Sequence, residues 1–400
     1  MMRGRTVAAQ GTYFELGQAH GRGVPRAIRH NLAGFWRTLE RNGYGQEKVR
    51  AQAWLDRTLL PPHRREELDG LARGSDLPLR DLLAFNLYHG LVSPDECTSM
   101  CALPSATATG ETIFFKNSDK VGGSTLVGPE FHLYKEVNVI LALHPKDGNR
   151  LIGSSAAGSL GIKMGLNDKG VAVGSNISRT QELKDKKVNL TTLRAADRAE
   201  LGREALEVNS ALEACQRVLQ AVTQNPMGTP GNMEFADAKE CWIVEGSYDK
   251  YAVEVVRQGV CARANRFVLL AQLNQWDDVS SEVRYIRSLQ LLRAHEGKIT
   301  ADLVRSFSMD HENGPGLNSI CRHSPRPEDE TSLSAAVMEI NAKQPERSRI
   351  HLALGKPCHA WREKEAHVVL EMTTEPEAIP AGFRDGSVFK KFYTEEPRLD

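Results

Sequence analysis

The sequence predicts an α+β fold in which antiparallel sheets lie between layers of helices, and three observations predict it. The first 95 or so of the 400 residues read as helices, the chain after Cys97 breaks into short strands, and strands and helices come in runs instead of alternating.

In the amino-terminal stretch, segments 25–42, 46–58, 62–74 and 79–90 mix apolar and polar residues at helical spacing, punctuated by Pro61-Pro62 and Gly74-Ser75-Asp76. Segments 98–103, 112–116, 137–143, 150–154, 162–166 and 171–176 read as strands separated by turn residues such as Gly110, Asp147-Gly148 and Asn167-Asp168-Lys169-Gly170. One or two long helices follow over 191–223, then strands over 241–245, 251–256 and 267–271, and helices over 281–295 and 300–307. A helix over 332–342 and strands over 350–354 and 367–372 close the chain. The texture changes at Pro94-Asp95-Glu96-Cys97, so the expected organisation is a helical leader, 1–96, and a strand-rich body, 97–400.

Lys+Arg and Asp+Glu both number 51, which gives no general attraction to nucleic acid or an anionic membrane and points to a small-molecule partner. The basic start has no apolar run of signal-peptide length behind it, and no later stretch approaches the roughly 18 to 20 apolar residues of a membrane span, so the expected location is cytoplasmic. The seven cysteines are scattered without a disulfide framework and are expected to be reduced packing residues. Cys97 and Cys101 with His89 lack an evident fourth zinc ligand, Cys358-His359 being remote in sequence, so neither a metal nor a cofactor is expected. Segments 178–188 and 228–235 read as loops shaping an acyl pocket, with the charged run 182–187 at its rim; the sequon Asn189-Leu190-Thr191 carries no meaning in a cytoplasmic chain.

Cys97 stands at the head of a strand, followed by Thr98 and Ser99, where its thiol can face a cleft while ladder hydrogen bonds hold its backbone. Scission of the bond before it frees an α-amine whose pKa of about 7.7 to 8.0 lets it take the proton of the adjacent thiol, so one residue supplies nucleophile and base. On residue type alone Cys97 could equally be a buried strand cysteine, with Cys101 the competing nucleophile.

The run Cys97-Thr98-Ser99-Met100-Cys101-Ala102-Leu103-Pro104 resembles the segment that begins at the cleavage site of the acyl-coenzyme A:isopenicillin N acyltransferase family of cysteine Ntn hydrolases, to which the dipeptidase, secernin and choloylglycine hydrolase families are more distant kin. Phe115-Lys116-Asn117-Ser118-Asp119, the run from Gly165 to Val173, Asn265 within Ala264-Asn265-Arg266-Phe267, and Asn318-Ser319-Ile320-Cys321-Arg322 follow in the family's order. The resemblance implies a four-layer αββα Ntn-hydrolase fold behind a helical leader. It also implies a precursor that cuts itself between Glu96 and Cys97, and a leader and body that stay associated, with a homo-oligomer left open.

By position Cys97 is then the nucleophile, Asn265 an oxyanion-hole donor, and Asp119 and Arg322 a pair that positions substrate or the free amine. Thr98, Asn117, Ser118 and Asn176 are the expected substrate contacts. The implied activity is hydrolysis or transfer of acyl groups at linear amide bonds through an acyl-enzyme thioester, on a small-molecule amide or acyl-thioester substrate. One departure stands out: Glu96 occupies a position where the resembling acyltransferases carry glycine. Two other readings stay open at this stage: a dipeptidase or secernin-like cysteine peptidase, and a catalytically silent binding protein on the same fold. By residue type, Asp119 and Asn176 could be turn residues, Asn265 a strand cap and Arg322 a surface ion-pair partner.

Overall fold

The computed structural model describes residues 6–92, 96–121, 136–185, 195–323, 330–362, 367–372 and 379–381. The chain opens with a strand, β1 (Thr6–Gly11), and a helix, α1 (Tyr13–Gly23), neither of which the residue pattern announces. Gly17 and Gly21 disguise α1 as a turn. They are there because a Cβ on Gly17 would sit 1.8 Å from Glu67 O and one on Gly21 2.5 Å from Ser75 N, so only glycine lets this helix press against another backbone. Thr12 and Glu15 close its start with a reciprocal capping box.

The four expected helices then form as α2 (Pro25–Arg41), α3 (Gln46–Asp56), α4 (Pro62–Ser75) and α5 (Leu79–Val92). Pro25 and Pro62 stand at first-turn positions, where a missing N–H costs nothing.

The body begins with β2 (Glu96–Ala102), β3 (Thr112–Val121), β4 (Asn138–Pro145), β5 (Leu151–Ala156), β6 (Met164–Asn167) and β7 (Ala172–Ile177). Helices α6 (Gln181–Asp185), α7 (Arg198–Ala205) and α8 (Ala211–Gln224) lead to β8 (Gly231–Ala236), β9 (Cys241–Gly246), β10 (Tyr251–Val256) and β11 (Val260–Arg263). After α9 (Val279–Ala294) and α10 (Ala301–Ser308) come β12 (Glu330–Ile340), β13 (Arg349–Leu354), the single turn α11 (Pro357–Ala360) and β14 (His367–Glu371). The sequon at 189–191, the start of the helix expected from 191, the end of the run 182–187 and the residues just before Glu96 lie outside the described segments.

These strands make two sheets, one of eight in the order β1-β4-β5-β6-β7-β8-β9-β10 and one of six in the order β11-β2-β3-β12-β13-β14. All pairings are antiparallel except β1 with β4, which is parallel. Alternation along β4 shows the layering: Val139, Leu141 and Leu143 pack with helices α1 to α5, α7 and α8, while Ile140 joins the second core, shared with the six-stranded sheet. Helices α9 and α10 add Leu292, Val304 and Phe307 to that second core from the far side. The result is helix, sheet, sheet, helix.

Four expectations are overturned. Segment 178–188, read as a loop, carries the short helix α6 over Gln181–Asp185. Segment 332–342, whose mixed pattern reads as a helix, is β12, a central strand paired on both sides, with Ala335, Ala336, Val337 and Met338 fully buried; burial on both faces erases the alternation that marks a strand. Segment 228–235 is mostly β8 and not a loop. Segment 267–271 is no strand, because the carboxylate of Glu245 accepts from the N–H groups of Val268, Leu269 and Leu270 at 2.8, 2.8 and 3.0 Å and curls the backbone around itself.

Residues 6–92 share one core with the strands after Cys97. A buried ion-pair cluster adds to this: Arg64 of α4, fully buried, reaches Glu200 at 2.9 Å and Glu204 at 3.3 Å on α7.

Glu245 also holds Arg263 at 3.1 Å. Glu245→Ala would leave three N–H groups without their acceptor and take from the buried Arg263 guanidinium one of its two carboxylate partners, Glu254 being the other. The expected loss is about 3 to 5 kcal/mol of stability, read as a lower urea midpoint at unchanged slope. A loss below about 1 kcal/mol would show that the carboxylate does not organise this turn.

Candidate active site around Cys97

Alternation along β2 sends successive side chains to opposite faces of the six-stranded sheet. Cys97, Ser99 and Cys101 point toward the eight-stranded sheet, where Asn176 Nδ2 on β7 donates to Ser99 Oγ at 2.8 Å. Glu96 and Thr98 point the other way, toward α9. Cys97 pairs with Ser118 on β3, which makes Lys116 its diagonal neighbour on the same face.

Lys116, fully buried, donates from Nζ to Cys97 Sγ at 3.0 Å and to Asn117 O at 3.1 Å. A cationic donor at this distance favours thiolate over thiol. Sequence reasoning placed Lys116 in a motif but gave it no role; the signal was its spacing, two residues before the partner of Cys97.

The backbone around the thiol is held from three sides. Asn265 Oδ1 accepts from the Cys97 N–H at 3.0 Å, while its Nδ2 donates to Ile177 O at 2.8 Å. In this uncut arrangement the carboxamide therefore faces the bond before Cys97 with its oxygen, and its NH2 group is engaged elsewhere. Asn117 Oδ1 accepts from the Thr98 N–H at 2.6 Å. Arg284 of α9, which sequence reasoning missed, donates to Cys97 O at 2.8 Å, Thr98 Oγ1 at 2.9 Å and Asn265 Oδ1 at 2.8 Å.

Glu96 lies in a cage of arginines. Its carboxylate pairs with Arg322 and Arg179 and sits 3.6 Å from Arg284 Nη2. Burial works to raise its pKa, yet the three guanidiniums outweigh burial and pull it to about 2. It stays ionised at neutral pH, so it cannot serve there as a proton donor.

Beside it Asp119, fully buried, accepts through Oδ1 from Asn117 Nδ2 at 3.1 Å and from Ser332 Oγ at 2.6 Å. Its Oδ2 lies 3.9 Å from Arg322 Nη1, and burial pushes its pKa up to about 6 despite that neighbour.

On the thiol side several buried polar atoms make no hydrogen bond: Ser118 Oγ, opposite Cys97, together with Asn176 Oδ1 and Glu234 Oε2. Burial raises Glu234 to about 7. An unsatisfied buried polar atom costs about 1 to 3 kcal/mol, so a substrate or water that bonded to these atoms would recover that cost.

The structure thus gathers Glu96, Cys97, Thr98, Asn117, Ser118, Asp119, Asn265 and Arg322 around one peptide bond, with Asn176 one step away through Ser99. All seven cysteines are buried and stand outside any disulfide. Cys101 meets Cys241 and Cys261 in the core, away from this cluster. Among the described residues, a second thiol-bearing group, His311, Cys321, His323 and Cys358, lies behind Arg322. No helix among the described residues is long and apolar enough to cross a membrane.

Comparison with known proteins places the chain in a family. The family of acyl-coenzyme A:6-aminopenicillanic acid acyl-transferase matches residues 107–354, a span that takes in Lys116 to Asp119, Asn265 and Arg322 and begins just after Cys97. Among solved structures, penicillin V acylase from Agrobacterium tumefaciens is similar at 13% identity and a TM-score of 0.39, over 70% of this chain and 89% of its own. An N-acylethanolamine-hydrolyzing acid amidase ortholog from Caenorhabditis elegans is similar at 16% identity and a TM-score of 0.37, over 60% and 92%. A mutant conjugated bile acid hydrolase from Clostridium perfringens is similar at 11% identity and a TM-score of 0.43, over 70% and 93%. The helix, sheet, sheet, helix layering of two largely antiparallel sheets is the α+β architecture expected from the sequence.

The depressed pKa of Glu96 gives a pH signature. Its ion pairs contribute fully above the ordinary value of 4.5, and that contribution is lost as pH falls toward about 2. In an uncut Cys97→Ala background, Glu96→Gln is expected to be less stable near neutral pH and to flatten the fall of the urea midpoint across that window. An unchanged acid limb would mean that the cage does not bind the carboxylate.

Proposed function

We propose, from the premise that this chain belongs to the acyl-coenzyme A:6-aminopenicillanic acid acyl-transferase family of Ntn-type amidohydrolases and acyltransferases, that it is a self-processing enzyme whose nucleophile is Cys97. The observation that carries the reading is the contact of Lys116 Nζ with Cys97 Sγ at 3.0 Å, beside a peptide N–H held by Asn265.

In processing, Sγ attacks the carbonyl carbon of Glu96, the C–N bond to Cys97 breaks, and the amine leaves with the proton. Water then hydrolyses the thioester, releasing the Glu96 carboxylate and regenerating the thiol. The caged side chain of Glu96 anchors the bond during this shift, and Asn265 Oδ1 keeps hold of the new amine. In turnover the free amine takes the thiol proton, the thiolate attacks an amide carbonyl, the substrate's C–N bond breaks as its amine leaves with that proton, and the resulting thioester passes its acyl group to water or to an amine acceptor. Hydrolysis is the default, since water competes wherever the site is open.

The leader and body stay together after the cut, because the shared core and the Arg64 cluster do not depend on the 96–97 bond. Withdrawal of Glu96 would take its carboxylate from Arg179 and Arg322 while Arg284 keeps its bonds to Cys97, Thr98 and Asn265, which makes a carboxylate-bearing acyl amide the preferred substrate class. No observation favours the peptidase reading over this one.

Intact mass of the wild-type chain is expected to give two fragments that meet at Glu96 and Cys97, and Cys97→Ala a single one. Lys116→Met is expected to slow both the cut and acyl-amide turnover at least about tenfold, with a pH profile displaced upward as the thiolate loses its cation. A wild-type chain that stays whole and leaves acyl amides untouched would return the protein to the silent binding reading.

A further inference from the structure

Behind Arg322 four side chains from three separate stretches converge. His311 comes from the turn after α10, Cys321 and His323 flank Arg322, and Cys358 is the second residue of α11. Their ligand atoms all lie within 4.8 Å of one another. His323 Nε2 is 3.5 Å from Cys321 Sγ and 3.3 Å from Cys358 Sγ.

A tetrahedral ion with bonds of about 2.3 Å to sulfur and about 2.0 to 2.1 Å to nitrogen has edges of about 3.3 to 3.8 Å, so the two separations of His323 from the thiols are those between ligands of one tetrahedral centre. One further observation agrees. His311 Nε2 is buried without a hydrogen-bond partner, although its ring packs edge-on against His323 with centroids 4.9 Å apart.

The geometry points to a structural Cys2His2 zinc site formed by His311, Cys321, His323 and Cys358, which ties α11 to the loop that carries Arg322. Thiolate and imidazole ligands in a closed four-ligand set select zinc over the hard divalent cations. The site is remote from Cys97 in role but joined to it in structure. Ile320 O accepts from Asn117 Nδ2 at 2.8 Å, the Arg322 N–H donates to Ser332 Oγ at 3.0 Å, and the Arg322 guanidinium grips Glu96. Zinc would make this loop rigid on both sides of Arg322, which acts as a positioning residue for the 96–97 bond. Sequence spacing hides the set, since Cys358 lies far downstream of the other three.

The test is metal analysis of the full chain purified from zinc-supplemented cells, done on wild type and on Cys97→Ala so that the result does not depend on processing. About one zinc per chain is expected in both, and less than about a tenth of that in Cys358→Ser and His311→Ala. Cys241→Ser, in the separate core cluster, is expected to keep its zinc. Should the ligand variants fail to fold, wild type alone decides. Chelation followed by cobalt(II) is expected to give tetrahedral ligand-field bands with sulfur-to-cobalt charge transfer, and zinc to bleach them. A zinc-free wild type that takes up no cobalt, a Cys321–Cys358 disulfide in the isolated protein, or zinc lost in Cys241→Ser but kept in Cys358→Ser would overturn the assignment.

Discussion

The burial of one carboxylate among three guanidiniums sets the geometry of everything near Cys97. Glu96 would be expelled from the protein interior without Arg179, Arg284 and Arg322, since an uncompensated buried charge costs several kcal/mol. With them it is a fixed point. Because a strand alternates, anchoring residue 96 on one face of β2 delivers the next side chain to the other face, against Lys116. Ion pairing on one side of the sheet therefore fixes the placement of the Cys97 thiol on the other, and the bond between the two residues is held by both.

This explains how glutamate can stand where the resembling acyltransferases have glycine. Glycine relieves crowding at a scissile bond, and glutamate gives that up. The arginine cage offers orientation in exchange, an entropic gain for an intramolecular attack. The carboxylate is too acidic to move protons near neutrality, so the proposed processing routes proton transfer through the thiol, the amine and solvent. Lys116 adds what neither glycine nor glutamate could, a cation in a dry site where its field on the sulfur is only weakly screened.

Much of this was legible in the sequence, for physical reasons that differ by element. Helices α2 to α5 were clear because each mixes apolar and polar residues at helical spacing, with breakers at the ends. The strands from β2 to β7 were clear because turn residues separate them. Strand β12 was not, since burial on both faces leaves no alternation to read, and α1 was hidden by glycines that serve contact with α4. In the site, the segment from Lys116 to Asp119 was recognisable as a motif, but the role of Lys116 follows from a register that only sheet pairing reveals. Arg284 lies on a helix that nothing in its local pattern marks as special, and Arg179 lies in a loop; both became visible through Glu96.

The Cys2His2 group extends the same logic one layer outward, from Glu96 to Arg322 and then to what holds Arg322. The central claim, that Cys97 carries the acyl group, is tested most directly by trapping it. A slowly hydrolysed carboxylate-bearing acyl thioester would be mixed with the enzyme, quenched in acid and mapped by peptide mass. The account predicts the added acyl mass on the peptide that begins with Cys97, labile to hydroxylamine and absent in Cys97→Ala under the same quench. An acyl adduct on Cys101 or on any other residue, with the Cys97 peptide unmodified during turnover, would contradict it.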